Sequence, residues 1–65
     1  MPSNDERRDC AMAALSALGR YVYDEEPDNN DTIVTDFLTD LCHVYGPAWV
    51  EARMSMAITH HSYEL

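Results

Sequence analysis

The sequence contains no lysine, and its only strongly basic side chains are four arginines, set against twelve acidic residues. The formal net charge is therefore −8. Contacts to nucleic-acid phosphates are made largely by Lys and Arg, so this composition argues against direct binding of nucleic acid. It argues in the same way against binding to an anionic membrane surface. We expect the partner to be a protein with a basic surface.

Long apolar runs are also absent: none approaches the ~20 residues needed to cross a bilayer. The first six residues, Met1 to Glu6, contain neither the basic nor the apolar segment of a secretory signal. We therefore expect a soluble, cytoplasmic protein. The two cysteines, Cys10 and Cys42, lie in apolar helical patterns, and we interpret both as reduced thiols in the core.

The third shortage is length, because 65 residues predict a single small domain with a thin core and little room for a catalytic pocket. There are only two glycines and no glycine-rich phosphate loop. A Cys–His nucleophilic pair would lack an identifiable orienting residue. We expect no enzymatic activity, no cofactor and no metal. Ligand types for zinc are present but lack the short paired spacing of structural zinc sites: Cys10, Cys42, His43, His60 and His61.

Three helical patterns predict an all-α fold. The first helix, over residues 4–20, begins at the capping box Ser3-Asn4-Asp5-Glu6. Gly19 either ends it or is tolerated inside it. The segment 21–23 fits either a last helical turn or a short extended piece, because its aromatic and β-branched side chains favour strands. The apolar side of this helix comprises Cys10, Ala11, Ala14, Leu15, Leu18 and Val22.

An acidic loop at about 24–30 leads to a second helix over 31–45, which Asn30 or Asp31 is expected to cap. Gly46 is placed for a left-handed C′ position, and Pro47 suits the first turn of a third helix over 47–61. Residues 1–65 are thus predicted to form one domain of about three short helices. The predicted core is Leu15, Leu18, Phe37, Leu38, Leu41, Val50, Met54 and Ile58.

Charge is strongly segregated along the chain, because seven of the twelve acidic residues and no arginine fall within residues 24–46. Asp36 and Asp40 lie one helical turn apart, ~6 Å along the axis. We interpret the loop and this helix face as one anionic surface that imitates a nucleic-acid backbone and binds a basic groove. The alternative is an ordinary solvated acidic loop. The predicted contact residues are Asp24, Glu25, Glu26, Asp28, Asp31, Asp36 and Asp40.

Six aromatic residues exceed what so small a core can enclose, so some must lie at the surface. Phe37 is the best core candidate by helical phase, and Trp49 is expected to seal the corner between the second and third helices. Tyr21, Tyr23 and Tyr45 are placed to border the acidic loop. A different class of function follows from these side chains and from Met12, Met54 and Met56: a helical protein-interaction module, antitoxin-like or a regulatory adaptor.

In its small size, acidity, capped helical start and acidic helix Asp31-Thr32-Ile33-Val34-Thr35-Asp36-Phe37-Leu38-Thr39-Asp40-Leu41, the chain resembles small phage and mobile-element proteins. Among these it is most similar to the anti-CRISPR proteins, including those that act on type I systems. The resemblance covers the whole chain in size and character and includes no diagnostic motif. It implies a non-enzymatic inhibitor that binds a Cas protein or surveillance complex where target DNA would dock.

Overall fold

A computed structural model describes residues 3–26 and 29–64, and their regular secondary structure is entirely helical. Helix α1 spans Asn4–Leu18 and continues into one π-helical turn over Gly19–Tyr23. Helix α2 spans Asn30–Tyr45, and helix α3 spans Pro47–Glu64. The predicted all-α class with three helices is confirmed.

The helix ends follow the capping predictions in part. The Ser3 hydroxyl accepts the Glu6 N–H at 3.1 Å, as the capping box predicts. The predicted cap of α2 is wrong, because Asn29 occupies that position. Its side chain forms no capping bond, and its amide nitrogen donates to the Glu25 carboxylate at 3.0 Å. Gly46 has a positive φ of 90°, as glycine allows, but its ψ of 155° is extended rather than left-handed helical.

Gly19 marks a close contact between α1 and α2. It is buried, and a Cβ atom built on it would lie 2.9 Å from Ile33 Cδ1. The chain winds wider after Gly19, whose carbonyl accepts the N–H groups of Asp24 and Glu25. Residues 21–23 are therefore helical rather than extended. The small residue lets the side chain of Ile33 reach the backbone of the turn.

The enclosed core is smaller than predicted. Only Ile33 and Val50 are buried apolar side chains among the described residues, at 1% and 6% exposure. Leu15, Leu18, Leu38 and Leu41 are half-buried. The core assignment is wrong for Phe37, Met54 and Ile58, which are 39%, 45% and 67% exposed, and for Cys10, which is exposed. Helical phase identifies the apolar side of a helix, but it does not show whether another element covers that side.

Helix α3 is the least covered element. Every residue from 51 to 63 is exposed, and Val50 is its only buried residue. Its far end is held by an ion pair at 2.8 Å between Arg7 near the start of α1 and Glu64. No helix within the described residues is long and apolar enough to cross a membrane.

Candidate protein-binding surface

The predicted acidic residues lie on two adjoining segments. Three of them follow the π-helical turn, and three lie on α2. Asp28 lies outside the described residues. Of the others, Asp24, Glu26, Asp31 and Asp40 are exposed, whereas Glu25 and Asp36 are half-buried.

Tyr23 connects the π-helical turn to the acidic side of α2. Its hydroxyl donates a hydrogen bond to Asp40 Oδ2 at 2.6 Å. This bond, together with lesser contributions from desolvation and from the negative charges of Asp40 and Asp36, raises the pKa of Tyr23 to about 12. The structure thus places Tyr23 beside Asp36 and Asp40 of α2, whereas the sequence predicted that it would border the loop at 24–30.

The other polar side chains of α2 do not neutralise these carboxylates. The hydroxyls of Thr35 and Thr39 donate to the carbonyl oxygens of Asp31 and Thr35, each at 2.8 Å. Such bonds within a helix are typical of threonine and satisfy the hydroxyl locally. The hydroxyls of Thr35 and Thr39 therefore donate no hydrogen bond to the neighbouring carboxylates of α2.

All four arginines contact groups outside residues 24–46. Arg7 pairs with Glu64, and Arg8 pairs with Asp5 within α1. Arg20 lies over the Tyr21 ring at 5.9 Å, and Arg53 lies over the Trp49 ring at 5.8 Å. Across the part of the chain that the structure describes, the acidic segment forms no ion pair with arginine. Of its described carboxylates, those of Asp24, Glu26, Asp31 and Asp40 are exposed to solvent.

The acidic residues of α2 do not share one face. Asp36 and Asp40 are separated by ~40° around the helix axis, because four residues make slightly more than one turn. Asp31 precedes them by five and nine residues, which places it ~140–180° away around the axis. Asp31, which the sequence assigns to the end of the acidic loop or to the helix cap, lies in the first turn of α2, at the opposite edge of the apolar side. Asp36 and Asp40 remain together.

The corner between α2 and α3 contains an aromatic pair. The rings of Tyr45 and Trp49 stack with centroids 4.1 Å apart, so Trp49 closes this junction as predicted, although both residues stay exposed. An open pocket of about 260 Å³ lies at the other end of α3, lined by Arg7, His60, Tyr63 and Glu64. Its two charged groups bind each other. No group of three or more potential metal ligands is found within the described ranges.

Comparisons with known proteins give no match, either to a family model or to a curated protein or a solved structure.

Proposed function

We propose that this protein is a non-enzymatic inhibitor that binds the nucleic-acid-recognition surface of another protein in the bacterial cytoplasm and competes there with DNA. The observation that carries the proposal is the set of carboxylates within residues 24–26 and 29–40, none of which pairs with an arginine among the described residues. The resemblance to anti-CRISPR proteins makes a type I CRISPR surveillance complex the first partner to test.

Electrostatics supports this choice of partner. A groove that binds DNA is lined with Lys and Arg, which hold counterions until an anionic ligand displaces them. The carboxylates of Glu26, Asp36 and Asp40 can occupy the same basic groups. Long-range attraction between the two surfaces would speed the encounter, and the affinity would fall as ionic strength rises. Competition that weakens with added salt is therefore the expected signature.

The test is a competition assay with a type I surveillance complex and a labelled duplex that carries its target sequence. We choose the double variant Glu26→Lys/Asp36→Lys, because neither side chain forms a hydrogen bond among the described residues. Exposed pairs contribute ~0.2–1 kcal/mol each, and two reversals also add repulsion. The variant should inhibit DNA binding about tenfold less well than the parent protein.

The matched control is Asp9→Lys/Glu51→Lys, which changes the net charge equally at exposed positions on α1 and α3. It should inhibit nearly as well as the parent protein. Circular dichroism must show that both variants are folded. If the two folded variants inhibit DNA binding equally, the position of the carboxylates has no effect. Net charge alone would then matter, and residues 24–40 would be ordinary solvated surface.

A second candidate function is a helical protein-interaction module that binds through aromatic and methionine side chains. It is favoured by the exposure of Met12, Tyr21 and Phe37, which no described element covers. Apolar contacts depend little on salt, unlike contacts between charged surfaces. Binding to a partner that is unchanged between low and high salt would support this candidate over the first.

A further inference from the structure

Helix α3 is apolar on two nearly opposite sides. One side carries Val50, the buried residue, with Met54, Ala57 and Ile58. The other side, which we name the outer stripe, consists of Trp49, Ala52, Met56 and Tyr63. The residues of the outer stripe are spaced by three, four and seven positions, which is the spacing of a helix–helix seam. A helix that is apolar on two sides is typical of one covered on both.

Within the described chain, the outer stripe is covered only in part, where the rings of Tyr45 and Trp49 stack. All four of its residues are exposed, and the exposure of Tyr63 reaches 84%. The stacked ring of Tyr45 extends the stripe onto the end of α2. Large aromatic and methionine side chains of this kind are enriched in the buried centres of protein interfaces.

The exposed area of the whole chain is larger than that of a compact monomer. The chain exposes 5365 Å², whereas a folded monomer of its mass is expected to expose about 4,200 Å². Its radius of gyration is 13.0 Å, against about 11 Å for a compact domain of this length. Burying the excess on each of two chains would remove roughly 2,300 Å² from water, which is the size of a stable homodimer interface.

The stability of the chain itself also calls for a partner. Domains of this size generally need a disulfide, a metal or oligomerisation. Both cysteines are free, and no metal-binding group lies within the described residues. If folding depends on covering the outer stripe, the molecule that covers it must be present whenever the chain is folded. A second copy of the chain is always present.

Charge is compatible with such a contact. No acidic residue lies between Glu51 and Glu64, and Glu64 is paired with Arg7. The flanking side chains Arg53 and His60 lie on one edge of the stripe. Two copies can therefore bring their outer stripes together without opposing carboxylates, although each chain has a net charge of −8.

We propose that the protein is a homodimer in which the outer stripe of α3 packs against the outer stripe of a second copy. A two-fold axis makes one patch complementary to itself, so one stripe on each chain is sufficient. The proposal is independent of the proposed function, because the outer stripe contains none of the acidic residues.

Sedimentation velocity of the purified protein tests the proposal directly. The parent protein should sediment as a species of about twice 7.4 kDa at micromolar concentration. Met56→Glu places a charge in the centre of the stripe and should weaken association at least tenfold. The control Ser55→Glu adds the same charge on the adjacent residue, ~100° around the helix, and should remain dimeric.

Thermal unfolding of the parent protein over a hundredfold range of concentration provides a second measurement. A dimer has a midpoint that rises with concentration. This result supports the proposal even where Met56→Glu fails to fold, and Tyr63→Ser, a change at a highly exposed position, should then reduce the concentration dependence. A parent protein of 7.4 kDa with a constant midpoint would overturn the proposal and leave the stripe to a different protein. The proposal would also be overturned if Met56→Glu and Tyr63→Ser associate as tightly as Ser55→Glu.

Discussion

The contact between Gly19 and Ile33 makes a sharp prediction, because two physical effects oppose each other there. In a helix, replacing Gly by Ala normally stabilises by ~1 kcal/mol. Here the added Cβ atom would lie 2.9 Å from Ile33 Cδ1 and 3.4 Å from the Glu25 carbonyl oxygen. Ile33 is only 1% exposed and has little room to move. Overpacking of this kind costs ~1–3 kcal/mol, so Gly19→Ala should give a net destabilisation of about 1 kcal/mol.

Chemical denaturation at one fixed protein concentration measures this effect. The lost stability corresponds to a fall of about 4–8 °C in the thermal midpoint of a domain this small. Ile33→Val removes the methyl group that the new Cβ would meet and alone costs ~0.5–1.5 kcal/mol. The double variant should therefore be more stable than the sum of the two single changes predicts.

The comparison with Gly46→Ala separates crowding from backbone strain. Gly46 has a positive φ, and a Cβ atom there would meet nothing within 4 Å, so Ile33→Val should give no rescue. A Gly19→Ala chain that is more stable than the parent protein, or strictly additive with Ile33→Val, would refute the close contact.

Three further predictions concern single contacts. Tyr23→Phe should lower stability below pH 10, where the tyrosine of the unfolded chain is protonated. The difference in stability should vanish as pH rises through the folded pKa of about 12. Unfolding midpoints measured across pH test this, and a difference that stays constant with pH would contradict the bond to Asp40. Leu41→Ala should cost ~2 kcal/mol in denaturant unfolding, the low end for a core leucine, because Leu41 is half-buried; an unchanged midpoint would contradict its packing. Ser3→Ala should lower the free energy of unfolding by ~1 kcal/mol, because the bond to the Glu6 N–H is lost. Hydrogen exchange at the Glu6 amide should become faster, and an unchanged exchange rate would contradict the cap.

The local features of the fold were predictable because they depend on neighbouring residues. A capping box requires only Ser3 and Glu6, and the corner between α2 and α3 requires only Gly46 and Pro47. The side chain of Asn29 was not predictable in the same way, because its bond to Glu25 depends on how the preceding loop folds back towards the start of α2. Similar reasoning explains why the sequence left residues 21–23 open between a helical turn and an extended piece.

The core was harder to predict, because it depends on which helices approach each other. The core list omitted Ile33, although its burial had a signal in the sequence: an isolated glycine within a helical pattern can mark close approach of another element. Phe37 has a suitable helical phase but is not enclosed. The outer stripe was also missed, because Met54 and Ile58 satisfied the expected helical face. The seven-residue spacing of Trp49, Met56 and Tyr63 was the available signal.

The candidate site was predictable in composition but not in arrangement. The excess of carboxylates in residues 24–46 follows from the sequence, and so does the position of Asp36 and Asp40 on neighbouring turns of one helix. The opposite placement of Asp31 follows only when α2 is known to be continuous from Asn30 to Tyr45. The bond between Tyr23 and Asp40 depends on the π-helical turn, which no sequence pattern specified.

The distribution of arginine bears on the folding of so acidic a chain and on its proposed dimer. Each arginine lies on α1, the π-helical turn or α3, where it contacts a carboxylate or an aromatic ring. The described carboxylates of residues 24–40 receive none of this compensation from arginine. Salt reduces repulsion between charges more than ~8 Å apart under physiological conditions. Two chains joined through the outer stripes of α3 therefore avoid most of that repulsion wherever the contact keeps their acidic segments farther apart than this distance.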